Sequence, residues 1–85
     1  MFFRNKGFKV KLHGRSQIEY IEGKKRLLIE SEFLAGDIGI VIYSNNQIRW
    51  NPPYENDLLG ADDIERIKNN VLSDLAEHKI KAEWS

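Results

Sequence analysis

The sequence has no cysteine, only two prolines and one methionine, and nowhere a long apolar run. Each absence closes a class of function. Without cysteine there is no thiol nucleophile, no disulfide framework and no cysteine-based zinc site. Small secreted domains usually reinforce a thin core with disulfides, so the expected compartment is the cytoplasm. The longest apolar stretch, residues 38–43, is interrupted by Gly39. A membrane-spanning helix needs roughly 20 such residues, so no membrane is expected as a partner. The opening Met1-Phe2-Phe3-Arg4-Asn5-Lys6 turns charged too early for a secretory signal.

Catalytic machinery is equally scarce. The six glycines are scattered and form no phosphate-binding loop. The two histidines, His13 and His78, lie far apart and belong to no metal-ligand spacing. His78 follows Asp74 by four residues, which imitates a dyad, but a helix C-terminus favours a histidine there without any catalysis. Glu30 and Glu32 share a strand face, where two solvated carboxylates are far commoner than an acid/base pair. No cofactor, no metal and no enzymatic activity are expected.

What the chain has is enough for one small domain. Its 85 residues are 41% hydrophobic and 31% charged, the balance of a folded protein rather than a disordered one. A chain of this length buries about 60–65% of its unfolded surface, so the core is thin. Net charge is zero, yet residues 1–26 carry eight basic side chains against two acidic ones. The remainder carries five basic and eleven acidic. Either the domain has one positive and one negative surface, or the two halves interleave and neutralise locally.

Periodicity supplies the elements. Phe8, Val10 and Leu12 alternate with Lys9, Lys11 and His13, a half-buried strand that Gly14 ends. A second strand covers residues 17–22, Gly23 opens a turn, and a third covers 26–34. In the third, Leu27, Ile29 and Phe33 face opposite to Glu30 and Glu32. The β-branched run 38–43 reads as central, after a loop at 35–37. A tight turn at 44–47 and a short returning strand at 48–50 follow.

Residues 61–78 change period: Ile64, Ile67, Val71, Leu72 and Leu75 form one helical stripe. Gly60 is placed as N-cap, with Asp62 and Asp63 in the first turn. Ile80, Ala82 and Trp84 alternate again as a closing strand. The expected fold is α+β: an antiparallel meander sheet of five to six strands, one C-terminal amphipathic helix on one face, and a short terminal strand. Residues 1–85 form a single domain, with 1–7 as a disordered or loosely held tail.

The distinctive segment is Ile48-Arg49-Trp50-Asn51-Pro52-Pro53-Tyr54-Glu55-Asn56-Asp57. Pro52-Pro53 is expected to stiffen an extended spacer between two aromatics, followed by Glu55, Asp57, Asp62 and Asp63. A preorganised loop of Trp50, Tyr54 and carboxylates is a good contact surface. The alternative for Trp50 is a plug at the end of the core. Tyr54 and the acids are expected on the surface.

At this segment the chain resembles the immunity protein 74 family. The resemblance rests on Val41-Ile42-Tyr43, Ile48, Trp50, Pro52-Pro53, Glu55-Asn56, Ile64-Glu65-Arg66-Ile67 and the closing 80–84, with residues 38–67 the distinctive part. It implies a non-enzymatic inhibitor from a bacterial polymorphic toxin system, whose partner is a cognate toxin. An acidic loop would then meet a basic toxin surface. The alternative function is nucleic-acid binding through Lys9, Lys11, His13 and Arg15, which the neutral overall balance disfavours. A third is a homodimer pairing the two charged surfaces or an exposed sheet edge.

Overall fold

The structure, a computed structural model, describes residues 7–14, 16–34, 39–43 and 48–85. Strands β1 (Lys9–His13), β2 (Gln17–Glu22), β3 (Lys25–Leu34) and β4 (Gly39–Tyr43) form an antiparallel meander. Helix α1 (Ala61–Glu77) follows, and β5 (Lys81–Trp84) closes the sheet beside β4 in the order β1-β2-β3-β4-β5. The domain is therefore α+β, as the periodicities imply. The expected tail at 1–7, apart from exposed Gly7, the loop at 35–37 and the turn at 44–47 lie outside the described residues. So do Arg15 and Ile38.

Two expectations change in detail. Residues 48–50 form no strand. The place beside β4 that a returning strand would take is filled by β5, which runs parallel to β4 with Ile40 opposite Ala82 and Ile42 opposite Trp84. An intervening helix reverses the chain, so the strand after it re-enters in the direction of β4. The sheet is mixed for that reason.

Pairing register sorts the side chains into two faces. Val10, Tyr20 and Leu27 lie in one row, Ile18 and Ile29 in the next, and Ile42 and Ile40 follow beyond them. These residues meet Ile67, Val71 and Leu75 of the helical stripe in one core, with Trp50 at its end. Ile64 and Leu72, at the margins of the stripe, are only half-buried. The opposite sheet face carries no second layer among the described residues. The β3 alternation is clean: Leu27, Ile29 and Ser31 are buried, while Leu28, Glu30 and Glu32 are exposed.

The ends of α1 obey the local rules. The Gly60 carbonyl accepts from Ile64 N–H, and the Asp63 carboxylate accepts from Gly60 N–H at 3.0 Å. At the other end His78 is the C-cap, its Nδ1 2.9 Å from the Asp74 carbonyl oxygen. Lys79 then takes the left-handed conformation at φ 60° that lets the chain leave the helix.

Gly23 holds φ 62° at the first position of the two-residue turn between Glu22 and Lys25. That is where a type II′ hairpin needs glycine. Nothing lies within 4 Å of a Cβ built there, so Gly23→Ala is opposed by backbone strain alone. The expected loss is about 1–2 kcal/mol in chemical denaturation. A neutral substitution would show that this turn relaxes freely.

Candidate partner-binding site

The segment 48–60 is irregular but firmly held. Asn51 N–H donates to the Arg26 carbonyl at 2.7 Å, stitching the segment to the start of β3. Tyr54 N–H returns to the Asn51 carbonyl and Asp57 N–H to the Tyr54 carbonyl, both at 3.0 Å. The prolines therefore sit inside the first of two successive turns, with a cis bond between Pro52 and Pro53. The extended spacer expected from the Pro-Pro pair is not what forms, because the Asn51–Tyr54 hydrogen bond closes the pair into a turn.

Lys25 is the hub of the anchoring. Its Nζ lies 2.9 Å from Asp57 Oδ2, 5.7 Å from the Trp50 ring centre and 5.6 Å from that of Tyr54. A cation over two aromatic faces and beside one carboxylate fixes three loop residues at once. Trp50 is 3% exposed and tilts against Tyr20 at 6.3 Å, while Tyr20 stacks on Phe8 at 5.8 Å. Trp50 is thus the core plug; it supports the loop from beneath and offers no surface. Tyr54 is half-buried, less open than expected.

Beside the loop, Arg66 joins helix to sheet. Its Nε and Nη2 donate to the two Glu22 oxygens at 3.1 and 2.9 Å, and Nη1 donates to Asp63 at 2.8 Å. Tyr20 Oη donates to Glu22 at 2.6 Å and accepts from Asn70 Nδ2 at 2.9 Å. Partial burial pushes the Glu22 carboxyl up, but the Arg66 and Tyr20 hydrogen bonds outweigh it and leave the group below its ordinary 4.5. Asp63 is likewise lowered, by the Gly60 N–H and then by Arg66. Burial, reinforced by Glu22, pushes the Tyr20 phenol up to about 12.

The six residues picked from the sequence therefore divide. Trp50 is buried, Asp63 is committed to the helix cap and Arg66, and Asp57 is half-exposed but tied to Lys25. Glu55 and Asp62 are exposed and make no ion pair among the described residues. Sequence reasoning missed Leu58. It is 89% exposed, between the Asp57 anchor and a half-buried Leu59 that packs on the core. Glu55, Asp57 and Leu58 are exposed in this segment together with Arg49, Pro52, Pro53 and Asn56, and Asp62 is exposed in the first turn of α1.

On the other side of the sheet Lys9, Lys11 and His13 share one face, as their spacing implies. His13 Nε2 sits 2.7 Å from Glu19 Oε1, and Arg26 Nη1 is 3.5 Å from Glu19 Oε2. Covered by these side chains, Glu19 is only 8% exposed although it lies on the open face. The His13 hydrogen bond is the main reason its carboxyl stays below the ordinary value. The aromatics nearest this basic row, Phe8 and Tyr20, turn to the core side. Among the described residues no three of the usual ligand types lie close enough to hold a metal ion. No helix of the described residues is long and apolar enough to cross a membrane.

A family model described as Immunity protein 74 matches residues 9–84, from the first residue of β1 to the last of β5. The chain belongs to the immunity protein 74 family. This family's name marks a group of immunity proteins, the kind of protein that protects against a toxin. No curated protein and no solved structure matches the chain. The matched span contains every strand and the helix of the described residues, and the anchored 48–60 segment, of this immunity protein.

The lowered carboxyls of this family member carry a pH consequence. Glu22 and Glu19 bind protons more weakly folded than unfolded, so acid favours the unfolded chain. Their contribution is intact above about pH 5 and is lost as pH falls through and below 4.5. A thermal melt series should show the midpoint falling steeply there, and Glu22→Gln should flatten the slope. An unchanged slope in that variant would remove Glu22 from the account.

Proposed function

We propose that the chain is a non-enzymatic immunity protein that binds and neutralises a cognate bacterial toxin domain. Its contact surface is the 48–60 loop with the first turn of α1. One observation carries the assignment of the surface: a segment without regular structure is pinned through Asn51, Trp50, Tyr54 and Asp57, yet shows solvent an almost fully exposed leucine among acids. A loop already ordered loses little entropy on binding. An exposed apolar side chain with polar neighbours suits the apolar core and polar rim of a protein interface.

Glu55, Asp57 and Asp62 suit a toxin whose facing surface is basic, such as the active cleft of a nuclease. Co-expression with the neighbouring open reading frames, then capture of the tagged chain, tests the reading. Recovery of a toxin domain in equimolar amount supports it. Recovery of nucleic acid that washes off steeply with salt would favour the second reading, phosphate binding by the basic N-terminal strand, on which Lys9, Lys11 and His13 are exposed.

A further inference from the structure

The two edges of the sheet differ in what each can pair with. Strand β1 bounds one side and β5 the other, and neither has a second neighbour among the described residues. An open edge is a template for another strand, which proteins commonly deter with charge, proline or a bulge. On β1, Lys9 and Lys11 share one face, so two copies of this strand would set lysine against lysine. Strand β5 carries no such deterrent. It reads Lys81-Ala82-Glu83-Trp84, with Lys81 and Glu83 exposed and in no ion pair among the described residues.

The backbone of β5 is also aimed for pairing. Ser85 N–H donates to the Ile42 carbonyl at 2.8 Å, and Trp84 stands opposite Ile42. By alternation Lys81, Glu83 and Ser85 turn their backbone groups to β4, whereas Ala82 and Trp84 turn theirs to the open edge.

We propose that β5 pairs with β5 of a second copy, antiparallel about a two-fold axis at Ala82, joining the two five-stranded sheets into one. This register sets Lys81 of each copy opposite Glu83 of the other, two cross-strand ion pairs on the open face. An axis at Lys81 or at Glu83 would instead set that charge against its own copy. The two Ala82 residues, the smallest in the strand, meet at the axis and exchange N–H···O=C bonds. On the helix side, Trp84 of each copy lies beside Ile80 of the other. There an open groove runs between α1 and β5, lined by Leu72, Ala76, Ile80 and Ala82 with Lys79 and Lys81. Ile80, Ala82 and Trp84 are only half-buried, so closing the seam removes apolar surface from water. Isologous two-fold contacts of this kind are the commonest form of protein self-association.

A four-residue edge makes a small contact, so the dimer belongs to the weak, reversible class. The 48–60 loop is stitched to Arg26 at the start of β3, whereas β4 pairs with Glu30–Leu34 and β5 lies beyond it. Self-association therefore leaves the loop open and stands apart from the inhibitor reading.

The test is sedimentation of the full chain at concentrations up to about 0.5 mM, where the wild type should dimerise. Ala82→Pro removes the outward N–H at the axis and no bond to β4, and should weaken association about tenfold or more. Lys81→Glu and Glu83→Lys, each alone, set like charges across the seam and should weaken it about tenfold. An equimolar mixture of these two charge variants should regain association, because one edge is then acidic and the other basic. The mixture alters exposed side chains only, so a poorly folded Ala82→Pro leaves the test intact. A wild type that stays monomeric at about 0.5 mM overturns the proposal. So does a dimer that both charge variants leave intact, or a mixture that fails to restore one. A monomeric wild type whose toxin complex is lost in Ala82→Pro would give the edge to a strand of the toxin, and also overturns it.

Discussion

Replacing Trp50 with alanine is expected to cost about 3–5 kcal/mol, the range for deleting a large buried aromatic. The whole stability of an 85-residue domain is only about 4–13 kcal/mol. The variant should therefore be largely unfolded at 37 °C or close to it. Three contacts go together: burial of the indole, its packing on Tyr20, and the platform it gives the Lys25 cation. Trp50→Phe keeps an apolar ring in the same place and should cost about 1–2 kcal/mol. Urea unfolding followed by far-ultraviolet circular dichroism measures both. A loss below about 1 kcal/mol for the alanine variant would mean that the ring is not packed as described.

The second large effect is functional and should leave the fold alone. Glu55→Lys, Leu58→Ser and Asp62→Asn change three exposed side chains with no ion pair among the described residues. Each should shift stability by about 0.5 kcal/mol or less. Toxin affinity should nevertheless fall by a factor of about 100 or more, corresponding to loss of one apolar anchor and its charged surround. Tyr54 and Asp57 are poorer choices because they also hold the loop to Lys25, so their replacement mixes binding with order. The contrast between Trp50→Ala and the triple variant separates what builds the loop from what the loop presents.

The sequence disclosed the elements because each has its own period. The alternation in β3, the stripe from Ile67 to Leu75 and the glycine at Gly23 are local signals, and each is in place, whereas in β1 the alternation stops at Val10 because Leu12 is exposed. What it hid is long-range. Lys25 reads as a turn lysine, and nothing near it in sequence announces Asp57, Trp50 or Tyr54. Arg66 and Glu22 stand 44 positions apart. Leu58 and Leu59 are chemically alike, and only the path of the chain decides which one packs on the core. The run 48–50 has strand-forming residues, yet β5 holds the only edge of β4 it could join. Trp50 illustrates both sides: its identity drew attention to the right segment, but its role there is support.

The most direct test of the central claim is calorimetric titration of the purified chain with the toxin domain recovered by co-expression, beside the same titration of the Glu55, Leu58, Asp62 triple variant. The account predicts one-to-one binding by the wild type, and binding at least about 100-fold weaker by a triple variant whose circular dichroism and melting curve are unchanged. Equal affinity for the two would contradict the loop as the contact surface, and a wild type that binds no toxin domain would contradict the inhibitor reading itself.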